Sequence, residues 1–244
     1  MRRLGAVAAV GAGLVVLALA ATLRSAGAAA DGATVTGHVK LTGKAPANPP
    51  IDMGEEPKCK AKYTTTPVDP AVVVSKTGAL ANVFVYVKAG LPADAKFPAP
   101  STPVEIDQNG CLYHPRVFGV MVGQGLAIKN SDGVLHNIKA LGKKNRPFNI
   151  SQPTTMVTQR PGFTVSEVML PFECNVHGWM HAFAGVLPHP FFATTGEDGS
   201  FSIKGLPAGT YTLEAWHEKY GVQTATVTVA AGQTKPADFT FTAK

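Results

Sequence analysis

Apolar and polar residues follow one another in short runs along most of the chain, separated by Gly, Pro, Asn and Asp. From Ala33 onward no long segment shows an apolar period of 3.6 residues, so the pattern predicts an all-β fold. The predicted strands are 35–41, 71–75, 83–87, 103–107, 116–122, 126–130, 134–140, 162–166, 168–174, 182–187, 191–195, 200–204, 210–217, 223–229 and 237–242.

Two of these runs predict which faces of their strands are buried. Residues 83–87 are apolar on both faces, which is typical of a strand buried between two layers. Residues 223–229 alternate Thr with Ala or Val, as expected for a sheet with one buried and one wet face. Because the pattern restarts after Pro188, we expect a boundary near Leu187, with domains at 31–187 and 188–244.

The first thirty residues follow the plan of a secretory leader, with Arg2 and Arg3 before an apolar run at 4–23 and small residues at 26–28. They predict a removed signal peptide; the alternative is an uncleaved membrane anchor. Either reading predicts export to the periplasm or cell surface. Without the leader, 19 basic residues face 16 acidic ones, too small an excess to suggest nucleic acid as a partner.

The chain has three cysteines, an odd number that leaves one thiol to be explained in an oxidising compartment. Residues 42–70 are rich in Pro, Lys and Thr and predict a long surface excursion. Cys59 lies inside it. A disulfide between Cys59 and Cys111 would tie the excursion to the first domain and leave Cys174 free.

Cys174, His177 and Met180 place a thiolate, an imidazole and a thioether within seven residues. A blue copper site uses two imidazoles, one thiolate and a weak axial thioether, and this loop between two predicted strands offers three of the four. His136, at the end of a predicted strand, is the best candidate for the second imidazole. His181 is a rival to Met180, although alternation along a strand should turn it to the opposite face.

The His-Asn pair at 136–137 and the Cys-x-x-His-x-x-Met loop resemble the cupredoxins, blue copper proteins of the amicyanin and plastocyanin type, over roughly residues 136–186. The resemblance implies a Greek-key β-sandwich holding one copper ion. It implies that His136, Cys174 and His177 are equatorial ligands of the copper ion and that Met180 is the axial ligand. It also implies that Asn137 ties the ligand loops together and that Phe172 is the aromatic residue before the ligand cysteine.

Residues 188–244 carry turns and aromatic residues that resemble carboxypeptidase regulatory-like domains, which are small, non-catalytic, transthyretin-like β-sandwiches. The resemblance implies a fold more firmly than a function.

Taken together, these features predict an exported electron-transfer protein that exchanges single electrons with redox partner proteins. A copper carrier or buffer is one alternative, although Met121, Met156 and Met169 are spread out rather than clustered. A metal-free structural surface protein is another. The chain contains no nucleophile elbow, phosphate loop or His-Glu-x-x-His motif, so an enzyme is not expected. The sequence leaves the oligomeric state open.

Two further expectations concern residues outside the ligand set. Trp179, between two proposed ligands, is expected to be a hydrophobic shield for the site rather than a docking platform. His114, His189 and His217 are scattered along the chain, and separate structural roles are expected for them in preference to a second metal site.

Overall fold

The computed structural model describes Met1 and residues 32–243. The predicted leader, residues 1–30, therefore lies outside the described residues except for Met1. In the described part of the chain, no helix has the length and apolarity needed to cross a membrane.

The described residues form an almost entirely β structure, as the hydrophobic pattern predicts. Its elements are the short helix α1 (Pro57–Lys60) and the strands β1 (Ala33–Thr42), β2 (Phe84–Ala89), β3 (Val104–Asn109), β4 (Leu112–His114), β5 (Val117–Met121), β6 (Leu126–Asn130), β7 (His136–Ala140), β8 (Phe148–Gln152), β9 (Met156–Arg160), β10 (Glu167–Glu173), β11 (His181–Leu187), β12 (Phe192–Thr194), β13 (Ser200–Leu206), β14 (Gly209–His217), β15 (Gly221–Val229), β16 (Thr234–Pro236) and β17 (Phe239–Thr242).

The strands form four sheets. Two sheets, in the orders β5-β11-β10-β7-β8 and β4-β3-β6-β9, share one hydrophobic core. The other two, β12-β2-β14-β15 and β13-β1-β16 with β17 beside β1, share a second core. The all-β fold class is therefore confirmed.

Strand pairing crosses the position near Leu187. β1 pairs with β13 in antiparallel register and with β16 and β17 in parallel, while β2 pairs with β14 and β12. Val35 and Val85 consequently lie in the same core as Leu213 and Phe241. The second pair of sheets is thus built from both ends of the described chain.

β2 lies between two layers, as its apolar residues on both faces predict. Val85 faces the core shared with β1, whereas Phe84 packs with Val117 and Leu187 of the neighbouring sheet. Gly185 makes this contact possible, because a Cβ there would lie 2.3 Å from the Phe84 ring. The two sandwiches are therefore joined through a buried apolar layer.

Two predicted strands are wrong, and four observed strands, β4, β8, β9 and β16, are not among those predicted. Residues 162–166 form a loop because the Asn145 side chain accepts the backbone N–H groups of Thr164 and Val165, in place of a neighbouring strand. Residues 71–75 form only an isolated bridge from Val74. β8 and β9 are mostly polar and half exposed, so they lack the apolar alternation that marks a strand.

The disulfide expected between Cys59 and Cys111 is confirmed, and it links residues 52 apart in the sequence. Cys59 lies in α1, within the excursion, and Cys111 follows β3 in a tight turn. Cys174 remains as a buried free thiol, in agreement with the count of cysteines.

Candidate metal centre

Two neighbouring strands bring the ligand segments together. β7 begins at His136 and pairs in antiparallel register with β10, which ends one residue before Cys174. Because Lys139 pairs with Glu173, the next positions along each strand also lie side by side. The backbone N–H of Asn137 donates to Cys174 Sγ at 3.5 Å. The register of one strand pair thus places the thiol against the first histidine segment.

Three of the four predicted ligands present their donor atoms to one another. His136, Cys174 and His177 are all buried, and their donor atoms lie within 4.8 Å of one another. The Nδ1 atoms of His136 and His177 are 2.9 Å apart, and Cys174 Sγ is 3.9 Å from His177 Nδ1. Residues 41 positions apart in the sequence therefore face a common point.

The loop from Cys174 to Met180 is closed by its own backbone. The N–H of Met180 donates to the carbonyl of His177 at 3.0 Å, and the N–H of Cys174 donates to the carbonyl of Met180 at 3.3 Å. Met180 is fully buried in the hydrophobic cluster that contains Cys174. His181, the first residue of β11, is half-buried and pairs with Glu173. The fold therefore buries the Met180 side chain, whereas that of its rival His181 is only half-buried.

The surroundings of Cys174 favour its thiolate form. Burial alone would raise its pKa, but hydrogen bonds from the side chains of His136 and His177 and from the N–H groups of Asn137 and His177 outweigh burial. Together they lower the pKa to about 5 from the ordinary value of 9.0. At neutral pH the sulfur is therefore the anionic form that binds metals.

Asp132 is a functional residue that the sequence reasoning missed. Its side chain is fully buried, and its Oδ2 accepts from His136 Nε2 at 2.8 Å. The same carboxylate accepts the N–H groups of Gly110 and Cys111, each at 2.7 Å, and contacts Lys62 Nζ at 2.9 Å. These donors outweigh the effect of burial and lower the pKa of Asp132 to about 2. The signal in the sequence is an acidic residue four positions before the candidate histidine.

The contact with Asp132 fixes which nitrogen of His136 is free. A carboxylate can only accept, so Nε2 carries a proton, and Nδ1 is the nitrogen that would bind a metal after giving up any proton that it shares with Cys174. Burial lowers the pKa of His136, yet the hydrogen bonds with Asp132 and Cys174 raise it overall.

The far edge of His177 is covered by protein. Its Nε2 lies 3.7 Å from Cys59 Sγ and 3.8 Å from Glu56 Oε2, both from the excursion. The Trp179 ring lies 5.1 Å away between centroids, and Trp179 Nε1 donates to the carbonyl of Cys111 at 3.0 Å. His177 is consequently only 1% exposed.

The two supporting residues implied by the cupredoxin resemblance lie where it places them. Asn137 Oδ1 accepts the N–H of Asn175, which joins the first ligand strand to the ligand loop. Phe172 is fully buried among Phe118, Phe148 and Phe163. Both ligand segments are therefore attached to the rigid part of the sandwich.

The remaining histidines make separate contacts. His114 Nε2 meets the carbonyl of Asn109 and His189 Nε2 that of Val87, while His217 Nδ1 accepts the N–H of Lys219. Within residues 32–243, the groups of metal-binding side chains that lie close together include none of these three.

The donor set fits copper. With the bond lengths typical of zinc, about 2.0–2.1 Å to nitrogen and about 2.3 Å to sulfur, one ion could contact His177 Nδ1 together with His136 Nδ1 or with Cys174 Sγ. Those separations, 2.9 and 3.9 Å, are shorter than the summed bond lengths. Zinc takes its fourth ligand from nitrogen, anionic sulfur or oxygen, whereas a thioether beside two imidazoles and a thiolate is a copper set. A set completed by Met180 would favour copper over zinc.

Comparison with known proteins identifies one part of the chain by sequence. Residues 188–242 match the family model of the carboxypeptidase regulatory-like domain, which confirms the resemblance expected there. No curated protein sequence matches the chain significantly.

Solved structures that are similar to the chain include a copper-containing nitrite reductase, a purple cupredoxin and an amicyanin mutant. A copper-containing nitrite reductase from Thermus scotoductus SA-01 has 19% identity and a TM-score of 0.33 over 40% of this chain and 25% of its own. A purple cupredoxin from Nitrosopumilus maritimus has 21% identity and a TM-score of 0.29 over 34% of this chain and 97% of its own. An oxidized amicyanin mutant has 17% identity and a TM-score of 0.31 over 42% of this chain and 97% of its own.

These likenesses extend over less than half of this chain, and the chain matches only a quarter of the nitrite reductase. The assignment of a metal site therefore depends on the geometry of the residues themselves.

Proposed function

We propose that this chain is an exported type 1 copper protein that binds one copper ion and transfers single electrons. His136, Cys174 and His177 would be ligands of the ion, with Met180 as the fourth. Bound copper would supply exchange between its two oxidation states. The observation that carries the proposal is the convergence of two buried imidazoles on a thiol whose pKa is about 5.

The protein's own residues would hold the ligands in one arrangement. Asp132 orients His136, two backbone N–H groups hold Cys174 Sγ, and the closed loop positions His177. Burial of these residues would keep water away from a bound ion. A site that does not rearrange between oxidation states suits electron transfer, because little reorganisation accompanies each step.

Two features support the remaining parts of the proposal. The Cys59–Cys111 disulfide is the kind of bond that persists in oxidising compartments, which supports export to the periplasm or cell surface. The burial of His177 argues for a resident ion rather than one passed on rapidly by a carrier. A redox partner protein would exchange electrons with the site.

The test is a titration of the purified, metal-free protein with Cu(II), followed by visible spectroscopy. We expect an intense thiolate-to-copper charge-transfer band that saturates at one equivalent, and a reversible one-electron redox titration. Zn(II) should occupy the site without a band. A folded protein that shows no band with Cu(II) would contradict the proposal.

Three variants assign the ligands. Cys174→Ser should abolish the band, because the sulfur supplies it, and Met180→Ala should leave a shifted band. His181→Ala is the matched control and should leave the spectrum unchanged. The reverse result for Met180 and His181 would exchange their roles.

A further inference from the structure

Residues 50–68, here called the cap, form a loop whose two ends are held together. Pro50 and Val68 form an isolated antiparallel bridge, the N–H of Ile51 donates to the carbonyl of Pro67, and the N–H of Asp69 donates to that of Pro49. The cap contains α1 and reaches over the metal centre. The base of the cap can act as a hinge, because the isolated bridge between Pro50 and Val68 is not part of any of the four sheets.

The cap covers His177. Cys59 Sγ and Glu56 Oε2 lie 3.7 and 3.8 Å from His177 Nε2, on the side of the ring that faces away from the three converging donors. With these atoms in place His177 is 1% exposed and Cys174 is 4% exposed. Reagents reaching the donors from this side must first displace the cap.

The disulfide is the strongest attachment of the cap. Besides it, Tyr63 donates to the carbonyl of Gly110 at 2.6 Å, and Lys62, whose side chain is 31% exposed, contacts Asp132. The apolar contacts form a small cluster whose buried members are Ile51, Met53, Cys59, Cys111 and Val134. A hollow of about 490 Å³ lies between the arms of the cap, lined by residues 50–54, 60 and 63–67. Such loosely packed segments open at low cost unless they are cross-linked.

The turn that carries Cys111 is itself attached to the metal centre. Gly110 and Cys111 both have positive φ, 64° and 56°, an unusual conformation for cysteine. Asp132 accepts both of their N–H groups and also binds His136. The cross-link therefore ties the cap to the same carboxylate that orients a ligand.

We infer that the cap is a redox-operated closure of the metal centre, latched by the Cys59–Cys111 disulfide. A dithiol reductant would pass two electrons and two protons to the two sulfurs, breaking the S–S bond, forming two thiols and becoming a disulfide itself. The released cap opens at its base and exposes Cys174 and His177. Because both cysteines are fully buried, reduction follows a prior local opening and is slow on the folded protein. The part of this inference that concerns copper rests on the proposed function.

A test that needs no metal uses Cys174 as its own probe. Cys174 is the free cysteine of the oxidised protein, and it is also the remaining cysteine of the Cys59→Ser/Cys111→Ser double variant. The rate of its reaction with a thiol reagent is measured on metal-free protein. We expect the double variant to react at least about tenfold faster, since each tenfold change reflects only a small shift in the opening equilibrium. Equal rates in two folded proteins would overturn the inference.

Two controls separate opening of the cap from general loss of stability. Leu206→Ala truncates a fully buried residue of the other core and should destabilise the fold while leaving the labelling of Cys174 slow. Tyr63→Phe removes one cap contact and should give an intermediate rate. If the double variant does not fold, the wild-type protein is reduced with a phosphine, and labelling of the Cys174 peptide is followed by mass spectrometry. Faster labelling after reduction supports the inference, and an unchanged rate overturns it.

Transfer of Cu(I) from loaded protein to a coloured chelator tests the copper arm. Faster transfer from the double variant than from the wild-type protein supports the inference, and equal rates oppose it. If neither protein binds copper while labelling of Cys174 is faster in the double variant, the proposed function fails and the closure remains. The two failures are thus distinguishable.

Discussion

Asp132→Asn tests how far one buried carboxylate supports the metal centre. Each carboxylate oxygen accepts two donors: Oδ1 takes Gly110 N–H and Lys62, and Oδ2 takes Cys111 N–H and His136 Nε2. An asparagine keeps one accepting oxygen and places an NH2 group against two donors. The change therefore leaves buried donors unpaired and repelled, whichever way the amide is turned.

The structure sets the size of the expected effect. Removing one partner from a buried charged network costs about 3–5 kcal/mol of unfolding free energy. For a protein of this length that corresponds to a fall of about 10 °C in Tm. Loss of a carboxylate behind a ligating histidine weakens metal binding by about 10–100-fold.

The pH dependence of the unfolding free energy provides a second test of the role of Asp132. The pKa of Asp132 is about 2 in the folded protein, below its ordinary 3.8, so the ionised carboxylate stabilises the fold at and above about pH 4. This contribution is lost as pH falls through the folded pKa, from about 4 toward about 2. Asp132→Asn should lack this part of the acid unfolding profile.

Three measurements check the prediction: thermal unfolding against pH, copper affinity by competition, and nitrogen NMR of the metal-free protein. In the wild type the NMR spectrum should show His136 protonated at Nε2, and the variant should show a mixture of tautomers. Asp198→Asn, which removes a carboxylate from an exposed turn, is the control and should leave copper affinity and tautomer unchanged. If Asp132→Asn keeps wild-type affinity and a single Nε2–H tautomer, the positioning role is refuted.

Three other predictions follow from the fold. The thiol of metal-free Cys174 should titrate near pH 5, in place of 9.0, when its ultraviolet thiolate absorbance is followed against pH; a value near 9 would show that the surrounding donors do not act on it. The Cys59→Ser/Cys111→Ser variant should lose about 4 kcal/mol of unfolding free energy in denaturant titrations, from the chain entropy of a 52-residue separation; no loss would contradict this estimate. Gly185→Ala should cost about 1–3 kcal/mol in the same assay, since its methyl group would overlap the Phe84 ring, and a neutral effect would show that the ring can move aside.

Most of the candidate site was predictable because three of its four predicted residues are close together in the sequence. The Cys174 thiol, the His177 imidazole and the Met180 thioether lie within seven residues, and a short loop between two strands leaves them few directions in which to point. The disulfide followed from counting, because one cysteine was needed at the site and the other two were then left to pair. The edge strands β8 and β9 were missed because polar, half-exposed strands show no apolar alternation.

The sequence by itself determined the all-β class, most of the strands and the loop from Cys174 to Met180, since these depend on local periodicity and spacing. The odd number of cysteines determined the Cys59–Cys111 pair. The tertiary structure decided which distant segments meet. It placed Asp132 behind His136, laid Cys59 against His177 and paired β1 and β2 with strands from the other end of the chain. Such contacts depend on which strand edges and buried donors remain free once the sheets assemble, and no local pattern encodes that choice.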